Sequence, residues 1–296
     1  MTAVDERAGL VQSRLIERIE RVDLRVRDVD SSLRFYRDVV GLEVTEQSRE
    51  RAALAAPGGP AFLTLDSTGV TQPAEARATG LFHIAVRFPD RPSLGDALAR
   101  LAAAGMPVGA GDHAVSEALY VSDPDGNGVE LYYDRPVDEW PAPVPGMMVP
   151  MVTLPVDLQS LLAGGRGEDA VGKRAAAGTD MGHVHLQVSD VDATARFYTQ
   201  EIGLDLTARM GAEAAFLSSN GYHHHLGANT WRSRGGRPAP RASAGLARIV
   251  FAVDGLEPLE RLRLRLTEHG RSVTGSEGAE VVVRDPDGIE LRFVPA

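Results

Sequence analysis

His183-Val184-His185-Leu186-Gln187-Val188-Ser189-Asp190-Val191-Asp192, with Arg196-Phe197-Tyr198 and Gly203-Leu204 behind it, decides the fold, because the chain has already written the same pattern once. The earlier copy is Arg21-Val22-Asp23-Leu24-Arg25-Val26-Arg27-Asp28-Val29-Asp30, followed by Arg34-Phe35-Tyr36 and Gly41-Leu42. The offset is constant (183 − 21 and 203 − 41 both equal 162), which marks an internal duplication. In each copy apolar residues alternate (Val22, Leu24, Val26; Val184, Leu186, Val188), the period of a half-buried strand. Asp28 or Asp190 then stands before a segment of helical spacing that stops at Gly41 or Gly203, as capped helices do. The copies differ in one telling respect. His183 and His185 occupy the places of Arg21 and Asp23.

Each copy is followed by a second kind of unit. Leu81 to Val86 reads as a strand, Leu94 to Ala104 as a helix, and Val129-Glu130-Leu131-Tyr132 as a last strand. The counterpart runs from Leu246 to Val253, from Leu256 to His269, and through Ile289-Glu290-Leu291-Arg292-Phe293. Both last strands follow the same turn, Asp123-Pro124-Asp125-Gly126 and Asp285-Pro286-Asp287-Gly288. Pro fixes φ at the second turn position and Gly accepts a positive φ. Four strand–helix–strands units thus form two halves. Between them the Pro-, Gly- and Ala-rich stretch 135–178 reads as a linker with a short helix near Asp157 to Leu162.

Composition narrows the function. The 296 residues suffice for two ordinary domains, and 43% hydrophobic with 24% charged residues fits a globular protein. No apolar run is long enough for a membrane helix, and the first residues lack a signal-peptide layout. A net charge of −10 without a basic stripe argues against nucleic acid or anionic membrane as partner. With no cysteine, any metal must be held by imidazole and oxygen, and a cytoplasmic location is expected.

The strand-Asp-Val-Asp-x-x-x-x-Phe-Tyr-x-x-x-x-Gly-Leu pattern and the Asp-Pro-Asp-Gly endings resemble the vicinal oxygen chelate superfamily of glyoxalases, bleomycin-resistance proteins and extradiol dioxygenases. The run Gly221-Tyr222-His223-His224-His225-Leu226-Gly227-Ala228-Asn229-Thr230-Trp231 resembles its catechol 2,3-dioxygenase branch. The resemblance implies an α+β fold of four βαβββ modules, paired into two domains, each a curled mixed sheet forming a cup with helices outside. The expected boundaries are 18–135 for a first domain without its metal site, 136–180 for the linker, and 181–296 for the domain that carries the site.

By the same resemblance, the metal positions hold His183, His225, Arg248 and Glu290 in the C-terminal half, and Arg21, Leu63, His83 and Glu130 in the N-terminal half. The expected ligands are His183, His225 and Glu290, with His83 and Glu130 surviving as hydrogen-bonded remnants. Two imidazoles and a carboxylate with open positions suit Fe(II); Mn(II) or Zn(II) fits the same donors. In a strand His223 and His225 face one way and His224 the other. One alignment puts His225 at the metal, whereas another puts His224 at the catalytic acid/base position. His223, His224 and Arg248 are the candidate catalytic residues, and His185, Tyr222 and Trp231 the candidate substrate-lining ones. The implied reaction is extradiol cleavage of a small aromatic diol by O2. A glyoxalase-like Zn or Ni isomerase and a non-catalytic ligand-sequestering protein are the alternatives, and a homo-oligomeric state is left open.

Overall fold

The structure is a computed structural model and describes residues 9–296. The first unit comprises β1 (Ile16–Arg25), helix α1 (Val29–Phe35, continued by a π-helical turn, Tyr36–Val40), β2 (Glu43–Gln47), β3 (Arg51–Ala55) and β4 (Ala61–Asp66). The second comprises β5 (Gly80–Phe88), α2 (Arg91–Ala103), β6 (Gly109–Asp112), β7 (Ser116–Ser122) and β8 (Gly128–Asp134). The linker carries α3 (Leu158–Gly164), capped by the Asp157 carboxylate at the Ser160 amide. The third unit is β9 (Asp180–Gln187), α4 (Val191–Arg196, with a π-helical turn, Phe197–Ile202), β10 (Asp205–Met210), β11 (Ala214–Ser218) and β12 (Leu226–Asn229). The fourth is β13 (Gly245–Val253), α5 (Leu256–Glu268), β14 (Val281–Arg284) and β15 (Glu290–Pro295).

The caps do what their residue types dictate. Asp28 and Asp190 accept hydrogen bonds from the amides of Ser31 and Ala193, and Gly41 and Gly203 end the π turns at φ 97° and 92°. In β5 and β9 alternate residues then divide between two environments. Ile84, Val86, Val184 and Leu186 enter a core cluster shared by both sheets and the helices, while His83, His183 and His185 point into the concave face.

The two curled mixed sheets are as expected, but the partners within them are not. One sheet runs β10-β11-β12-β9-β5-β8-β7-β6 and the other β14-β15-β13-β1-β4-β3-β2. The second unit therefore pairs with the third, through antiparallel β5 and β9, and the first with the fourth, through antiparallel β1 and β13. The ranges 18–135 and 181–296 are halves of the sequence, not sheets: each sheet takes one unit from each half. The linker lets the third unit return alongside the second, and the connections after β4 and β12 cross between the sheets.

Candidate metal centre

Antiparallel pairing of β5 with β9 sets Ala85 opposite His183 and His83 opposite His185, while parallel pairing of β5 with β8 sets Ala85 opposite Glu130. Three strands thereby bring His83, Glu130 and His183 together, their ligand atoms all within 4.8 Å of one another. Among the described residues this is the one such group. His83 Nε2 and His183 Nε2 lie 2.9 Å and 3.1 Å from the same Glu130 Oε2, and all three side chains are buried. His83 Nε2 is buried without a hydrogen-bond partner, so the imidazoles converge on the carboxylate without both bonding to it.

The electrostatics suit a cation. Burial pushes the His183 imidazole down to about 4 against the pull of Glu130. For Glu130 burial acts upward, yet its coupling to His183 and then to His83 holds its carboxyl well below the usual range. A carboxylate facing a neutral imidazole is the protonation pattern that binds a metal. Two imidazole nitrogens and one carboxylate therefore fit a divalent ion.

The expected ligand set is corrected accordingly. Glu290 lies on β15 of the other sheet, where it pairs with Arg248 at 3.0 Å and Arg284 at 2.7 Å. His225 turns its Nδ1 to Ser218 Oγ (2.9 Å) and the Ser219 amide (3.3 Å), and burial pushes it to about 3. Arg248, expected near the reaction, instead bridges Asp23 and Glu290. His83 and Glu130 are ligand candidates, not remnants.

The seven-stranded sheet repeats the geometry with the donors removed. Arg21 lies opposite Val250 as His183 lies opposite Ala85, Arg248 opposite Glu290 as His83 opposite Gly128, and Arg292 opposite Val250 as Glu130 opposite Ala85. Arginines thus occupy all three equivalent places. The Asp-Pro-Asp-Gly turns confirm this register. Asp123 and Asp285 each accept from the amide four residues on, Asn127 and Ile289, so Glu290 corresponds to Gly128 and not to Glu130.

The trio opens onto a cavity of about 470 Å³. His224 and His185 line it, as does Trp231. Tyr222 does not: its hydroxyl is buried against Asp134 (2.8 Å) and Tyr132 (2.7 Å). His223 also lies outside, its Nε2 2.8 Å from Asp134 Oδ1 and its Nδ1 2.7 Å from His224 Nδ1. Residues 222–225 are not strand, and so strict alternation does not govern the histidine run.

Asp134, His223 and His224 form a carboxylate–imidazole–imidazole chain. Burial acts to raise Asp134, but His223 and Arg87 hold it below its ordinary value, so it accepts from His223 Nε2–H. When His224 Nδ1–H donates to His223 Nδ1, His224 Nε2 is left as a lone pair available to a ligand. Burial and the neighbouring histidines keep His224 well below its ordinary value.

Tyr120 and His113 were not singled out from the sequence, yet both line the cavity. Tyr120 lies opposite Glu130 on β7, and its hydroxyl is hydrogen-bonded to His113 Nε2 at 2.7 Å while His113 Nδ1 donates to the Val152 carbonyl. Burial, together with the Glu130 charge, raises the Tyr120 phenol well above its usual range. The legible signal was spacing: Tyr120 precedes Glu130 by one hairpin. Met151, Val152 and Thr153 also line the cavity, so the linker forms part of its wall.

The profile of the Glyoxalase/Bleomycin resistance protein/Dioxygenase superfamily matches residues 18–131 and 180–293. Catechol-2,3-dioxygenase of Bacillus subtilis is 40% identical over 278 residues, spanning 92% of this chain and 95% of that protein. Among solved structures, a Bacillus subtilis protein described provisionally as a dioxygenase superposes with a TM-score of 0.64 at 14% identity, over 96% of this chain and 86% of that one. Maize glyoxalase I does so with a TM-score of 0.56 at 17% identity, over 94% and 92%. These two likenesses concern the fold. Twice over, and across nearly its whole length, the chain belongs to the glyoxalase/bleomycin resistance/dioxygenase superfamily.

Proposed function

We propose that the protein is a dioxygenase that opens an aromatic ring beside a vicinal diol, using a divalent ion, Fe(II) by preference, held by His83, Glu130 and His183. The observation that carries this is the trio itself: two imidazoles and one carboxylate, buried and lining a cavity. Similarity to a catechol-2,3-dioxygenase across 92% of the chain supports it. When bound, such an ion supplies Lewis acidity toward both diol oxygens and a redox centre for O2, and three protein ligands leave positions open for them.

The surrounding residues handle protons and position. His224 takes the proton of a diol hydroxyl at Nε2 and returns one to the oxygen released as the ring opens. Asp134 and His223 hold His224 in the tautomer that keeps Nε2 unprotonated. Tyr120, kept neutral and oriented by His113, presents a hydroxyl to the same cavity. Phe82 and Phe216 exclude water around the ring.

Reconstitution with Fe(II) under argon, followed by catechol and air, tests the proposal. A yellow ring-opened product with matching O2 uptake is expected. Turnover that persists under argon, or ligand binding without O2 uptake at any metal loading, would refute it.

A further inference from the structure

We infer that the diol suited to this site is uncharged and carries an apolar ring substituent, and that carboxylated catechols are rejected. This rests on the dioxygenase reading above and deepens it to a substrate class. Beyond its few donor groups the cavity is walled mainly by apolar side chains. The ligand trio, Tyr120 and His224 supply the groups that face the diol and O2. Most of the remaining wall is apolar, with Phe82, Phe216, Trp231, Met151, Val152 and Met210, and among the described residues neither arginine nor lysine lines it.

At about 470 Å³ the cavity is far larger than a bare catechol of ~8 non-hydrogen atoms needs; cavities of roughly 300–1,000 Å³ hold drug-sized ligands. Most of the lining is apolar, so a substituent that fills the excess space gains by leaving water. Met210 and Trp231, 56% and 45% exposed, form an open apolar rim where a longer substituent emerges. A carboxylate carried into the same space loses its hydration and meets no cation in return. Of the polar groups left over on this wall, Ser116 and Thr153 are hydroxyls that carry no charge, and His185 is enclosed. His185 is 4% exposed, its Nε2 has no hydrogen-bond partner, and its ring covers Gly227, where a Cβ would lie 2.8 Å from it.

The test compares kcat/KM of the Fe(II)-loaded chain for catechol, 3- and 4-ethylcatechol, 3,4-dihydroxybenzoate and 3,4-dihydroxyphenylacetate. The alkylated diols should equal or exceed catechol, and the carboxylated ones should fall at least ~100-fold below it, the scale on which an unmatched charge is rejected. Met210→Arg should narrow that gap by roughly 10-fold by supplying a cation at the rim. Trp231 fluorescence, with Trp231→Phe as control, reads binding under argon without turnover, and alkylated diols alone should quench it. Carboxylated diols that turn over or quench as well as alkylated ones overturn the inference while leaving the dioxygenase reading intact. Selective quenching by alkylated diols with no ring cleavage does the reverse.

Discussion

At the scale of single residues, the chain separates groups of one chemical type by what their neighbours do to them. Six buried histidines surround the centre, and hydrogen bonding assigns them different tasks: His225 is tied to serine, His223 to Asp134, and His83 and His183 face one carboxylate. Asp134→Asn keeps the shape but offers His223 an amide, which disturbs the tautomer passed on to His224. The expected result is a kcat lowered about 10- to 100-fold with metal content unchanged, read by steady-state rates beside metal analysis. Unchanged kcat would remove Asp134 from the account. The histidine run was legible as important from sequence, and so was the pairing of two imidazoles with a glutamate. Which histidines and which glutamate was not. Within their own half of the chain His83 and Glu130 have Arg21 and Leu63 as poor companions, whereas their third partner comes from the other half.

At the scale of elements, caps, strands and turns followed from local chemistry, and the error of register has a local cause too. Matching Val129-Glu130-Leu131 to Ile289-Glu290-Leu291 looks natural, yet the first glutamate stands four residues beyond the turn glycine and the second only two. The buried turn aspartates fix the true register by accepting amides and a tyrosine hydroxyl, Tyr36 for Asp123 and Tyr198 for Asp285. Burial pushes the Asp285 carboxyl up to about 7, with the Asp287 charge acting the same way. A raised carboxyl favours the fold while protonated, so its contribution is present below the unfolded carboxylate pKa of about 4 and is lost as pH rises to about 7. Asp285→Asn stays neutral throughout. Relative to the parent chain it should gain roughly 1–3 kcal/mol of stability between those limits, measured by denaturant unfolding at several pH values. A difference that does not vary with pH would contradict this.

At the scale of the whole molecule, duplication explains how one cup was free to lose its donors. The two sheets share a framework, and arginines stand in one where His, Glu and His stand in the other. The sequence shows four units and two halves, but which unit pairs with which depends on how the linker routes the chain, and linker composition carries no such code. The pairing has a testable consequence. Fragments 1–135 and 136–296, produced separately, should each fail to hold the ion tightly, and co-expression should restore binding, because His83 and Glu130 belong to one and His183 to the other. Tight binding by the second fragment alone would reinstate the sequential halves. The account stands or falls on which glutamate grips the ion. Metal analysis of Fe(II)-reconstituted Glu130→Gln and Glu290→Gln, each confirmed folded by circular dichroism, answers this directly: loss of the ion in the first with retention in the second is predicted, and the opposite pattern would contradict the centre described above.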